Sequence, residues 1–165
     1  MTPITALGPI LPPPGADNDW HDAFVRRVLA AFTRVTGRDL MAELGAAAPF
    51  GRFFHDGDFA LLTHRGDEDA TLNYGNARAL ALWECDWAAF TAMPSRHTAP
   101  RERRAARAGM MDQVVTKGFV TGYSGERISR TGRRFLIQDG IVWRLCEADG
   151  TPFGVAAFVP RVTFL

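Results

Sequence analysis

GFVTGYSGERISRTGRRF, residues 118–135, reads as one β-hairpin, punctuated by glycine and carrying polar side chains spaced to converge on one place. Taking Arg130-Thr131-Gly132 as a three-residue loop, with Gly132 left-handed, pairs Ser129 with Arg133. Counting outward sets Arg127 opposite Phe135, Tyr123 opposite Asp139, Thr121 opposite Ile141 and Phe119 opposite Trp143. One face then holds most of the aromatic residues together with Tyr123, Arg127 and Asp139. The next turn, Asp149-Gly150, places Trp143 opposite Ala156, Leu145 opposite Gly154 and Ile141 opposite Phe158. These small residues leave room above the Trp143 ring. A slip of one residue inverts every assignment, so the reading depends on the two turns.

The opposite face carries Leu136, Val142, Cys146, Phe153, Val155, Ala157 and Val159. A sheet that met water there would alternate to polar residues, so something covers it. The candidate is a helix over residues 17–36, capped by Asp17, Asn18 or Asp19 and ended by Gly37. Its apolar stripe is Trp20, Phe24, Val28, Phe32 and Val35 at near-fourfold spacing. This stripe packs on its own sheet or across a homodimer, and Trp20, Phe24, Val28 and Phe32 are the expected interface residues.

Upstream, Pro3, Pro9, Pro12, Pro13, Pro14 and Gly15 mark residues 1–16 as a flexible tail, leaving residues 17–165 as one domain. A short helix is expected from Asp39 to Leu44, a loop from Phe50 to Asp58 and a strand from Phe59 to His64. After the acidic turn at Arg65 to Asp69 comes a second strand, Thr71 to Tyr74. Asn76 caps a helix bearing Ala79, Leu80 and Trp83, and Trp87 to Phe90 forms another short one. Beyond Pro94, a longer helix begins near Thr98 and Pro100 and ends at Gly118, with Ala106, Met110 and Val114 spaced by four.

Leu72-Asn73-Tyr74-Gly75-Asn76 with Ala79-Leu80 and Trp83, then Pro94-Ser95-Arg96, the helix from Arg101, the hairpin and Ile141-Val142-Trp143 together resemble the MEKHLA domain. That PAS-like module occurs at the end of plant class III homeodomain-leucine-zipper regulators and in free-standing bacterial proteins. The resemblance covers roughly residues 50 to 160, and so many separated matches in order are far more specific than one short motif. It implies a PAS-like α/β (α+β) fold: a five-stranded antiparallel sheet with short helices on one face, joined here by the N-terminal amphipathic helix. It also implies a sensing role, or an interaction role through dimerisation, and brings no catalytic residue set.

Composition sets the outer bounds. At 165 residues, 47% hydrophobic and 22% charged, the chain fits a single globular domain. A net charge of +1 provides no general field for nucleic acid or an anionic membrane. Cys85 and Cys146 make neither a disulfide framework nor a metal cluster, and the sequence shows neither a signal peptide nor a membrane-spanning apolar run. A reducing cytoplasm is the expected setting.

The pocket expected between sheet and helices draws on Tyr123, Arg127, Asp139 and Trp143, with Arg96 and His97 arriving from the loop after Pro94. An apolar wall with a few converging polar groups suits a small-molecule ligand, anionic if Arg127 is free for it, or aromatic. The competing reading is an internal Arg127–Asp139 ion pair. His55, Asp56 and Asp58 could ligate a metal but fit a turn better, so no metal is assigned. The acids around Cys85 raise its thiol pKa and favour a structural cysteine over a flavin adduct. Arg101, Arg103, Arg104 and Arg107, with Arg130, Arg133 and Arg134, form a solvated basic surface open to an anionic or protein partner. Serine-elbow, phosphate-loop and zinc-helix motifs are missing, so no catalytic residue and no cofactor are assigned.

Overall fold

The computed structural model describes residues 7–165. Its strands are β1 (Ala60–His64), β2 (Leu72–Gly75), β3 (Phe119–Ile128), β4 (Arg134–Cys146), β5 (Pro152–Val159) and β6 (Arg161–Phe164). They form one antiparallel sheet in the order β2-β1-β5-β4-β3, with β6 also paired to β4. The structure thus has six strands where five were expected. Pro160 interrupts β5, and the chain resumes pairing farther along β4, on Phe135 to Gln138, where Val162 packs on the core.

The helices are α1 (Asp22–Thr36), α2 (Leu40–Glu43), α3 (Phe50–Asp56), α4 (Ala77–Trp83), α5 (Trp87–Phe90) and α6 (Arg104–Lys117). None among the described residues is long and apolar enough to cross a membrane. The expected Phe50 to Asp58 loop is mostly helix, because Phe50, Phe53 and Phe54 recur at helical spacing and Phe54 is fully buried. Residues 17–21, expected as the first turns of the N-terminal helix, instead belong to a 3₁₀ turn, Ala16–His21. Asp19, Trp20 and His21 there are left-handed, with φ of 53°, 49° and 56°. Such residues cost roughly 1–2 kcal/mol each. The anchors at the turn are the His21 ring, which bonds Pro12 O at 2.6 Å, and Asp22, whose Oδ1 accepts from Gly51 N at 2.7 Å.

The expected tail is tied down over its described part. Gly8 N donates to Arg65 O, Asn73 Nδ2 to Pro9 O, and Trp87 Nε1 to Leu11 O. Proline-rich backbone lacks donors but offers carbonyls, and here side-chain donors take them. The first six residues of the expected tail lie outside the described part of the chain.

Both hairpin turns have the expected register. Gly132 sits at φ 96° and Gly150 at φ 87°. Phe119 pairs with Trp143 and Arg127 with Phe135, and Trp143 pairs with Ala156. Between those points, however, β3 and β4 each carry an extra residue. Tyr123 lies opposite Gly140 rather than Asp139, and the register then returns so that Gly125 meets Ile137. Gly122 (φ 63°) and Asp139 (φ 56°) take the left-handed conformations of this paired bulge. A bulge flips the alternation of side chains beyond it, so each strand changes face midway.

The two faces therefore divide differently from the uniform alternation expected. Ile141, Trp143, Leu145, Ala156 and Phe158 pack with Phe24, Val28 and Phe32 of α1 in the larger core. Phe135 and Ile137 pack with Trp83 on the opposite face, as Val142 does with Met110 and Val114 of α6. The N-terminal helix does cover a sheet face, as expected. It covers the Trp143 face, however, and not the face of Val142 and Val155. Phe24, Val28 and Phe32 are 5%, 1% and 0% exposed within this single chain, so the expected dimer residues are occupied by its own sheet. Trp20, half-buried, instead stacks against the Arg52 guanidinium at 4.6 Å.

Candidate functional site

Between the sheet and the α4 to α6 layer lies a cavity of about 60 Å³. That is room for about four waters, or a molecule of about four to six non-hydrogen atoms. Leu62, Leu72, Trp83, Met110, Val142, Val155 and Val159 provide apolar wall, and His64, Ser95, Thr98, Arg107, Tyr123 and Arg127 provide the polar groups. No Asp or Glu lines it.

Tyr123 and Arg127 reach the cavity from β3. Arg127 is only 5% exposed. It donates through Nη2 to Tyr123 Oη at 3.0 Å and through Nη1 to Glu126 O at 2.8 Å. Gly125 makes this stacking possible, since a Cβ there would lie 2.5 Å from Tyr123 Oη and 2.9 Å from Arg127 Nη1. Asp139 is not Arg127's partner: displaced by the bulge, it is exposed and accepts from Arg161 Nε at 2.8 Å. Neither Arg127 nor Arg107 belongs to an ion pair among the described residues.

Trp143 likewise lies outside the cavity. Its indole is fully buried on the α1 face, with Nε1 donating to Val28 O at 3.1 Å and the ring edge-on to Phe32 at 5.0 Å. The segment after Pro94 contributes, but through different residues from those expected. Ser95 to Thr98 is a 3₁₀ turn closed by Thr98 Oγ1 donating to Ser95 O at 2.7 Å. Its threefold period turns Ser95 and Thr98 inward and leaves Arg96 and His97 exposed. Arg96 pairs with Asp69 at 2.9 Å. The Ser95 hydroxyl is buried in the described structure without a hydrogen-bond partner.

The sequence reading missed four of the six polar cavity residues, with Thr98 read only as a helix start. Arg107 precedes Met110 and Val114 by three and seven residues, the spacing that puts all three on one helix face. It had been grouped with the solvated arginines. Burial, then the charge of Arg127, pulls its pKa down to about 10, which leaves it charged at neutral pH. His64 follows Ala60 and Leu62 by alternation, and was read as an isolated surface residue. Ser95 was noted only as part of a motif. His55 and Asp56, weighed as metal ligands, sit on α3 with Asp56 accepting from Arg52 at 3.4 Å. Among the described residues no three His, Cys, Asp or Glu side chains converge on a metal-sized site.

Burial, and then the charge of Arg107, lowers the His64 pKa from 6.5 to about 4. Its Nδ1 accepts from Gly66 N at 3.1 Å, so the neutral ring carries its proton on Nε2. An unfolded chain takes up a proton at His64 near pH 6.5, while the native one does so only near pH 4. Stability is therefore full above the first value and falls as pH drops toward the second, by up to about 3 kcal/mol. His55 is also lowered by burial and adds in the same direction, so His64's share is read by difference. Denaturant midpoints measured across this window are expected to fall less steeply in His64→Gln than in the unaltered protein. Parallel curves would refute the buried neutral imidazole.

Solved structures similar to this one are PAS domains. One from Colwellia psychrerythraea has a TM-score of 0.58 at 11% identity, covering 73% of this chain and 95% of that one. A PAS domain from a two-component sensor histidine kinase has a TM-score of 0.56 at 18% identity, covering 74% and 99%. The PAS domain of a LuxR-family transcriptional regulator from Burkholderia thailandensis, solved in complex with ethanol, has a TM-score of 0.52 at 17% identity, covering 70% and 96%. No curated protein matches significantly in sequence. The fold is thus PAS-like, and the family follows from the sequence itself: the MEKHLA domain profile matches residues 22–164, so the chain belongs to the MEKHLA domain family.

Proposed function

We propose that this protein is a sensory or regulatory module that binds a small molecule in the cavity between sheet and helices, and passes its occupancy to a partner protein or to dimerisation. The observation that carries this reading is the Ser95 hydroxyl, 3% exposed, unpartnered and at the wall of a cavity. A buried hydroxyl without a hydrogen bond costs about 1–3 kcal/mol, which a ligand accepting or donating there would recover. The size is consistent with a very small molecule, and the similar LuxR-family PAS domain was solved with ethanol. A reducing cytoplasm, in which both free cysteines persist as thiols, belongs to the same reading.

A native mass spectrum of the protein as purified, compared with its denatured mass, tests this. The expected result is an added small mass that denaturation removes. Ala157→Leu, which pushes a larger side chain into the cavity, is expected to lose that mass while remaining folded. An adduct that persists unchanged in this variant would place the ligand elsewhere, and the absence of any adduct would count against the reading.

A further inference from the structure

Arg107 and Arg127 approach the cavity from different elements, α6 and β3. Arg127 is 5% exposed and Arg107 half-buried, and neither has a carboxylate partner among the described residues. His64 is neutral and adds no counter-charge. Like charges held together away from water repel, and the unoccupied arrangement is correspondingly poor. Much of the remaining lining is aliphatic, and Val142, Val155 and Val159 supply it from the sheet. The cavity thus combines two arginines, an unpaired hydroxyl and an aliphatic sheet surface, with space for only a few atoms.

Resting on the reading that the cavity holds a small molecule, we propose that its ligand is a short-chain aliphatic monocarboxylate. Its carboxylate bridges the Arg107 and Arg127 guanidinium groups and accepts from Ser95 Oγ, and its alkyl end lies on the valine wall. A planar carboxylate presents two oxygens, which suits two guanidinium groups arriving from separate directions. A dicarboxylate would need a further cationic partner and more room, and the lining offers only Arg107 and Arg127 around space for a few atoms. Binding also has a mechanical consequence. Only Met110 and Val114 of the fourteen α6 residues are buried, so α6 is held to the sheet by few side chains. A ligand that replaces Arg107–Arg127 repulsion with a shared anion fastens α6 to β3, which turns occupancy into a change in one helix.

The test compares sodium propionate with sodium chloride at equal ionic strength, and with 1-propanol and propylammonium chloride, by calorimetry and thermal unfolding. Propionate is expected to bind saturably and raise the melting temperature, with the others inert. Arg107→Gln and Arg127→Gln are each expected to weaken propionate roughly 10- to 100-fold, the loss of one charge-assisted contact. Arg107 is part-exposed, so its variant serves if Arg127→Gln fails to fold. Hydrogen exchange of the α6 amides is expected to slow with propionate in the unaltered protein and not in Arg107→Gln. Propanol binding as well as propionate would overturn the anion while leaving a small-molecule site, and chloride acting equally would overturn the carboxylate. If none binds, the proposal falls. The native mass spectrum then separates the cases: a different bound molecule preserves the sensory reading, and an empty protein removes that too.

Discussion

Trp143→Ala is expected to lower unfolding free energy by about 3–5 kcal/mol, the range for removing a buried tryptophan. The indole is fully buried, contacts Phe32 edge-on and gives its N–H to Val28 O, so truncation opens a void and removes a hydrogen bond together. The damage should concentrate where α1 rests on the sheet. Amide exchange is expected to accelerate across α1 more than across α4 to α6, and affinity for the proposed ligand should change little in the folded fraction because the cavity lies on the other face. Chemical denaturation and residue-resolved exchange measure both. A loss below about 1 kcal/mol, outside the range for such a site, would mean that α1 is not docked there.

Asn76→Ala is expected to cost a similar amount, about 3–5 kcal/mol, for a different reason. Asn76 is fully buried and bonds four backbone groups. Its Oδ1 accepts from Leu61 N at 3.1 Å and Ala79 N at 3.0 Å, and its Nδ2 donates to Phe54 O and Phe59 O, each at 2.8 Å. One amide thus caps α4, secures β1 and closes the end of α3. Alanine leaves two N–H groups and two carbonyls without this partner. Asn76→Asp keeps the cap acceptor but faces two carbonyls with a carboxylate, so it should rescue little. Urea midpoints of the two variants check this, and full rescue by aspartate would show that helix capping is the whole contribution.

The two hairpin turns and the Asn76 cap were legible because single residues determine them, whereas the caps expected at Asp17 to Asp19 and at Thr98 were not the ones used. Gly132 and Gly150 adopt the left-handed conformations their loops need, and the Asn76 side chain accepts from Ala79 N as a cap should. The face assignments failed at Asp139, which takes a left-handed conformation without being glycine. Nothing local distinguishes it from a residue in a regular strand, and only the tertiary demand that Trp143 meet α1 while Ile137 meets Trp83 requires it. That one displacement moved Asp139 and Trp143 out of the expected site. Tyr123 and Arg127 stayed with the cavity because both lie on the same side of the bulge. Arg107 and His64 could have been found from spacing alone, since each keeps step with apolar neighbours facing the cavity. Ser95 required knowing that its turn repeats every three residues.

The paired bulge also sets which insertions and deletions the chain can tolerate. β3 and β4 behave like two texts that slip out of frame together and come back together. Losing one residue near Gly122 alone, or Asp139 alone, would leave a single uncompensated shift, and every pairing beyond it would be offset. Losing one from each would restore perfect pairing, yet would carry the Trp143 end of the hairpin round to the cavity side and Val142 away from it. Length variation in this hairpin is therefore constrained twice, once by pairing and once by facing, and even a balanced change fails the second requirement.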